Sequence, residues 1–80
     1  MATKNNPGAY DCYANAGPDE PMFVLLARDA TSPQVIRYWC QERIRVGKNK
    51  PGDPQITEAL ECARTMERFL NETAGVTHGT

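Results

Sequence analysis

Apolar residues fall into three blocks along the chain, each with its own period. Met22-Phe23-Val24-Leu25-Leu26-Ala27 is a continuous apolar run bounded by Pro21 and by Arg28-Asp29. Its length fits a buried strand, and Leu25-Leu26-Ala27 would also suit a helical turn. In the second block Val35, Ile36, Trp39, Cys40 and Ile44 recur at spacings of three and four, with Arg37, Gln41 and Arg45 on the other side. This is the pattern of an amphipathic helix. Ser32 stands as its N-cap, Pro33 at the first helical position, where a missing N–H costs nothing, and Gly47 as its stop. In the third block Ile56, Ala59, Leu60, Ala63, Met66 and Leu70 trace one stripe, with Glu58, Glu61, Arg64, Glu67 and Arg68 mostly opposite. A second helix follows, started by Asp53-Pro54 and supported by Glu61 with Arg64 and Arg64 with Glu67, each pair three residues apart.

The intervening stretches are rich in breakers. Gly47 to Pro54 carries Gly and Pro turn signals and two lysines, and its length suits a solvated loop between antiparallel helices. Ala9 to Pro21 reads as extended chain followed by a turn, with Asp19 and Glu20 as turn residues and Asp29 as an Asx-type turn ahead of the first helix. The expected fold is α+β, mainly α: a short N-terminal extended segment or strand followed by an antiparallel helical hairpin. Residues 1–8 are expected to form a flexible arm, 9–72 a single small domain and 73–80 a flexible tail. No internal repeat interrupts this order.

Size adds a constraint. A chain of 80 residues buries only about 60% of the surface its unfolded form exposes, so a staple or a partner chain is needed to complete it. A hairpin covers one side of each helix and leaves Phe23, Trp39, Met66, Phe69 and Leu70 short of cover. We therefore expect the fold to be completed by homo-oligomerisation, with Trp39 buried there.

Composition excludes several classes. No apolar run approaches the ~20 residues of a membrane span, and the chain does not open on a basic stretch followed by an apolar one, so no membrane role and a cytoplasmic setting are expected. Cys12, Cys40 and Cys62 are odd in number and widely spaced, which argues against a disulfide framework and for reduced thiols that pack as small hydrophobes. No metal site and no cofactor are expected. His78 lies in the Gly- and Thr-rich end of the chain, remote from any acid–base partner. The phosphate-binding, nucleophile-elbow and zinc-protease motifs are all missing from the sequence, and one small core encloses little space for a substrate. The expectation is a protein that is not an enzyme.

Charge is more informative than its sum. The net charge is -1, which speaks against nucleic-acid binding. Yet residues 37–50 carry +4, between a preceding stretch of -2 and a following one of -3. Cations at the end of the first helix complement its dipole. Arg37 also precedes Tyr38-Trp39, a setting in which a guanidinium both stacks on rings and forms bidentate bonds to phosphate. The expected ligand-binding residues are Arg37, Arg28 and Arg45 for phosphates and Tyr10 and Tyr38 for a base, in a pocket between subunits.

Asp19-Glu20-Pro21-Met22-Phe23-Val24-Leu25-Leu26-Ala27-Arg28-Asp29, followed by Ser32-Pro33 and by Val35-Ile36-Arg37-Tyr38-Trp39, resembles a family of small uncharacterised proteins of tailed phages and prophages. Ala63 to Phe69 is similar to the end of the same pattern, whereas Cys40 after Trp39 and the long loop Gly47 to Pro54 depart from it. The resemblance implies a protein of the infected bacterial cytosol, in a group of which many antagonise host immunity. The leading expectation is a non-enzymatic protein that sequesters a nucleotide-derived signal. The alternatives are a protein–protein inhibitor or adaptor that masks a host defence protein and a virion or assembly component.

Overall fold

The computed structural model describes residues 3–73 and contains three helices among them: α1 (Cys12–Asn15), α2 (Ser32–Arg45) and α3 (Pro54–Glu72). The expectations for the Ala74 to Thr80 end, His78 included, lie outside the described residues. Both long helices begin where a proline sits in the first turn. The start of α2 differs in detail from the expectation. Thr31 is its N-cap, and Ser32, within the helix and wholly buried, donates its hydroxyl to the Leu26 carbonyl at 2.8 Å. The Asx turn expected at Asp29 is present, its Oδ1 accepting from both the N–H and the hydroxyl of Thr31 at 2.9 and 2.7 Å. These bonds hold the Asp29 carboxyl below the usual carboxylate range.

Gly47 ends α2 as expected. Its φ of +83° is a left-handed conformation that side chains disfavour, and its N–H bonds to the Ile44 carbonyl while that of Lys48 reaches Arg43. The pair of bonds is a Schellman motif, which satisfies carbonyls that the helix end would otherwise orphan. The loop that follows is largely exposed, as expected, and is tied together by its own polar groups. Asn49 accepts from Arg43 Nε at 2.6 Å and donates to Asp53 Oδ2 at 3.0 Å, and the Lys50 N–H donates to the same carboxylate oxygen at 2.9 Å. Asp53 is the N-cap residue of α3 yet turns its carboxylate back into the loop instead of capping the helix. The Lys50 N–H and Asn49, which donate to it, depress its pKa.

Contacts at both ends of the pair make α2 and α3 an antiparallel hairpin. Arg43, late in α2, reaches Gln55 at the start of α3, and Arg37, early in α2, reaches Glu67 late in α3. The seam between them buries Cys40, Ile56 and Ala63, with Ser32 at its end. Ile56 is 1% exposed, so the predicted α3 stripe does face α2. On α2 the predicted stripe is displaced: Val35 and Trp39 are exposed, and the helix turns Cys40 and the half-buried Ile36 and Ile44 inward.

The N-terminal part differs from expectation more deeply. The stretch expected to be extended contains the one-turn α1, capped by Asp11, whose Oδ1 accepts from the Ala14 N–H at 3.2 Å. Residues Asp19 and Glu20 do form a turn, tied by Glu20 Oε1 to the Gly17 N–H at 2.8 Å. No strand forms among the described residues, so the β part of the expected α+β class is not supported. Residues 21–26 run without helix, turn or bend and have no neighbouring strand to complete a ladder. Far from being a buried strand, this run leaves Phe23 85% exposed. The radius of gyration, 13.8 Å, exceeds the roughly 11–12 Å of a well-packed chain of this length.

Candidate functional site

The residues expected to clasp phosphate are largely engaged with carboxylates. Arg37 donates from Nη1 and Nη2 to the two oxygens of Glu67, at 2.9 and 2.5 Å, in the parallel geometry that guanidinium and carboxylate prefer. The hydrogen bonds raise the Arg37 pKa and hold that of Glu67 below the usual carboxylate range. Arg45 forms the same fork with Glu42, at 2.9 and 3.0 Å. Arg28 is exposed in the turn that precedes α2. Arg37 and Arg45 stand eight residues apart on α2, about 12 Å along its axis at ~1.5 Å per residue. Tyr38 projects into solvent, and Tyr10 lies in the N-terminal segment, lining a small cavity with Trp39, Glu58 and Cys62. Within one chain these five residues are not brought together.

Sequence reasoning placed the wrong arginine beside the aromatic rings. Arg43, not Arg37, sets its guanidinium over Trp39, 5.3 Å from the ring centroid. Residues four apart on a helix are neighbours, so the 39–43 spacing carried the signal. Arg43 is held in place by Asn49 and Gln55, which its Nε and Nη2 reach at 2.6 and 3.4 Å. Beside this pair Val35, Tyr38 and Val46 share one side of α2, and Tyr38 is 62% exposed. Lys48 and Lys50 follow, both exposed. The side of α2 away from the core thus carries two adjacent aromatic residues, Tyr38 and Trp39, between Val35 and Val46, and is cationic at its C-terminal end. Trp39, expected to be buried by a partner, is 39% exposed and closes the edge of this surface.

Two further features concern chemistry. Cys40 is buried, and that burial pushes its thiol pKa up, which makes it a packing residue in place of a nucleophile. Cys12 is exposed and Cys62 half-buried, and all three thiols are free. The other ion pairs lie on the outer surface of α3: Arg64 bonds Glu61 at 2.7 Å, as its spacing predicts, while Arg68 stands 3.6 Å from the same carboxylate. The expected Arg64–Glu67 partnership gives way to Arg37–Glu67, since Glu67 turns to the neighbouring helix. Among the described residues no group of three or more Asp, Glu, Cys or His is placed to hold a metal ion, and no helix is long and apolar enough to cross a membrane.

On the other side of the molecule the N-terminal segment and α3 enclose an open groove of about 910 Å³. Its walls are Tyr10, Tyr13 and the run from Met22 to Ala27 on one side and Cys62, Thr65, Met66 and Phe69 of α3 on the other. Lys4 and Asp11 are the charged residues of the lining. No family model, curated protein or solved structure matches the chain.

Proposed function

We propose that this chain is a non-enzymatic binding protein that masks an acidic surface of another protein through the outer side of α2. In the phage setting that the resemblance implies, the masked protein is a component of host defence. The observation that carries the reading is the pairing of Arg43 with Trp39 beside the exposed ring of Tyr38. Trp, Tyr and Arg dominate the energetics of protein interfaces, because each buries a large area at low entropic cost and retains a polar handle. Arg43 is already oriented by Asn49 and Gln55, so little conformational freedom remains to be lost on docking. Lys48, Lys50 and the +4 of residues 37–50 supply attraction toward an acidic partner and accelerate encounter.

Sequestration of a nucleotide-derived signal has weaker support. To take a phosphate, Arg37 or Arg45 must leave Glu67 or Glu42, and the abandoned carboxylate then faces an anion. The test is co-purification from a bacterium with active phage-defence systems, followed by reconstitution with the purified partner. A stoichiometric acidic protein is expected, with binding lost in Tyr38→Ala and weakened by salt. A nucleotide mass on the native protein, without any protein partner, would instead support sequestration and overturn this reading.

A further inference from the structure

The groove between the N-terminal segment and α3 is surrounded by exposed apolar side chains. Phe23 is 85% exposed, Tyr13 80% and Val24 64%. With full areas of ~150–250 Å² per aromatic side chain scaled by their exposures, Tyr10, Tyr13, Phe23 and Phe69 leave roughly 400–650 Å² uncovered around the groove, and the exposed Met22, Val24 and Leu26 extend that surface. The largest apolar patch of a typical monomer is ~300–600 Å². A standard interface takes ~800 Å² from each partner. The exposed apolar side chains around the groove are thus a large part of the area one chain contributes to a stable dimer.

The core points the same way. Among the described residues, full burial is confined to a short seam of Cys40, Ile56 and Ala63 with Ser32 and Pro33, which is little apolar burial with which to order a chain of this length. A partner that covers the groove adds burial the single chain lacks, and the partner present wherever the chain is made is another copy of it. Electrostatics permits this. The net charge is only -1, and the two charged residues of the lining, Lys4 and Asp11, have opposite signs.

The backbone supplies the geometry. Residues 21–26 are unbent, and among the described residues the N–H and C=O groups of Met22 to Leu25 enter no hydrogen bond with the backbone. Such a segment is a template for another strand. Its inner end is fixed, because Ser32 Oγ grips the Leu26 carbonyl. A two-fold axis places a segment opposite its own copy, antiparallel, so that each satisfies the other.

We infer that a second copy of this chain covers the groove, the two Met22–Leu26 segments pairing antiparallel across a two-fold axis with Phe23, Tyr13 and Phe69 packed around the ladder. The strand pattern of this run is then expressed only in the dimer. Val35, Tyr38 and Val46 do not line the groove, although Trp39 adjoins it through the small cavity it shares with Tyr10 and Cys62, so Tyr38→Ala separates a failure of the dimer from a failure of the function proposed above.

Sedimentation equilibrium over a hundredfold range of concentration tests it. The wild type is expected at twice the 8.9 kDa of the chain, dissociating on dilution with a falling melting temperature. Two variants locate the contact. Phe23→Glu places a charge in the centre of the interface, and Val24→Pro removes a ladder N–H and bars the position from a paired strand. Each is expected to run as a monomer with the far-ultraviolet helix signal retained, since Phe23 and Val24 are largely exposed in the single chain. Tyr38→Ala is expected to remain dimeric. A wild type that stays at 8.9 kDa throughout would overturn the inference, as would a dimer that survives both Phe23→Glu and Val24→Pro.

Discussion

The hairpin of α2 and α3 and the N-terminal stretch before it hold comparable amounts of apolar residue and use them differently. In the hairpin, small and medium side chains meet across a seam, and polar groups tie the rim: Arg37 to Glu67 near one end, Arg43 through Asn49 and Gln55 at the other. The N-terminal stretch has the more hydrophobic run, yet Phe23 and Tyr13 lie in solvent. Hydrophobicity alone does not produce burial. A helix satisfies its own backbone and needs only a facing surface, whereas an extended run needs a partner for its N–H and C=O groups before its side chains can be enclosed.

The contrast can be broken most forcefully at Ile56. Truncation in Ile56→Ala opens a cavity in the seam and should cost about 2–5 kcal/mol, enough to unfold much of a domain whose total stability is of order 5–15 kcal/mol. Chemical denaturation read by circular dichroism measures it. A loss comparable to that of an exposed site would mean that the seam is not the core.

Ser32 is a hydrogen-bonded junction between the two regions, and Ser32→Ala sharpens the comparison. The Leu26 carbonyl loses the hydroxyl at 2.8 Å but keeps the Asp29 N–H at 3.1 Å, so the expected cost is about 0.5–1.5 kcal/mol. Hydrogen exchange should quicken in the first turn of α2 while the middle of α3 keeps its protection.

The smallest of these effects is electrostatic. Glu67 has its pKa depressed from the usual 4.5, chiefly by the hydrogen bond from Arg37. A carboxylate depressed in the folded state binds protons more readily when unfolded, so its contribution is complete above pH 4.5 and disappears as the pH falls through the lower folded value. Glu61 and Asp53, also depressed, act in the same direction. The melting temperature should fall on acidification below that point, and Glu67→Gln should lower it near neutrality while flattening part of the acid limb. Parallel pH titrations of the melting temperature for the two proteins decide it. An acid limb of identical slope in both would remove the Arg37–Glu67 pair as a contributor.

How much of this was legible in the sequence follows from the range of each interaction. The two long helices, the Asx turn at Asp29, the stop at Gly47 and the Glu61–Arg64 pair depend on residues at most four apart, and their spacing announces them. The Arg37–Glu67 fork joins residues thirty apart, and only the register of the hairpin creates it. Asp53 carries a capping signature, yet Asn49 and the Lys50 N–H outcompete the helix for its carboxylate. Arg43 over Trp39 was within local reach and was passed over for the arginine adjacent in sequence. On a helix, adjacency separates side chains by about 100°, while a spacing of four brings them together. The segment Met22 to Leu26 has the composition of a strand, but composition cannot state whether a second strand is present to receive it.

The linkage between α2 and α3 has a kinetic consequence. Its turn is closed by Asn49, Asp53 and the Schellman bonds at Gly47, all formed between residues close in sequence. Contacts of this kind need little loop closure and form fast, on the microsecond-to-millisecond scale of helical domains. The hairpin is therefore positioned to fold before any bimolecular encounter takes place. For the dimer inferred above, assembly then has two steps of different order, one independent of concentration and one second-order in chains. During the interval between them the apolar run is exposed to solvent, to proteases and to other unfolded chains, and the length of that interval shortens as more protein is made.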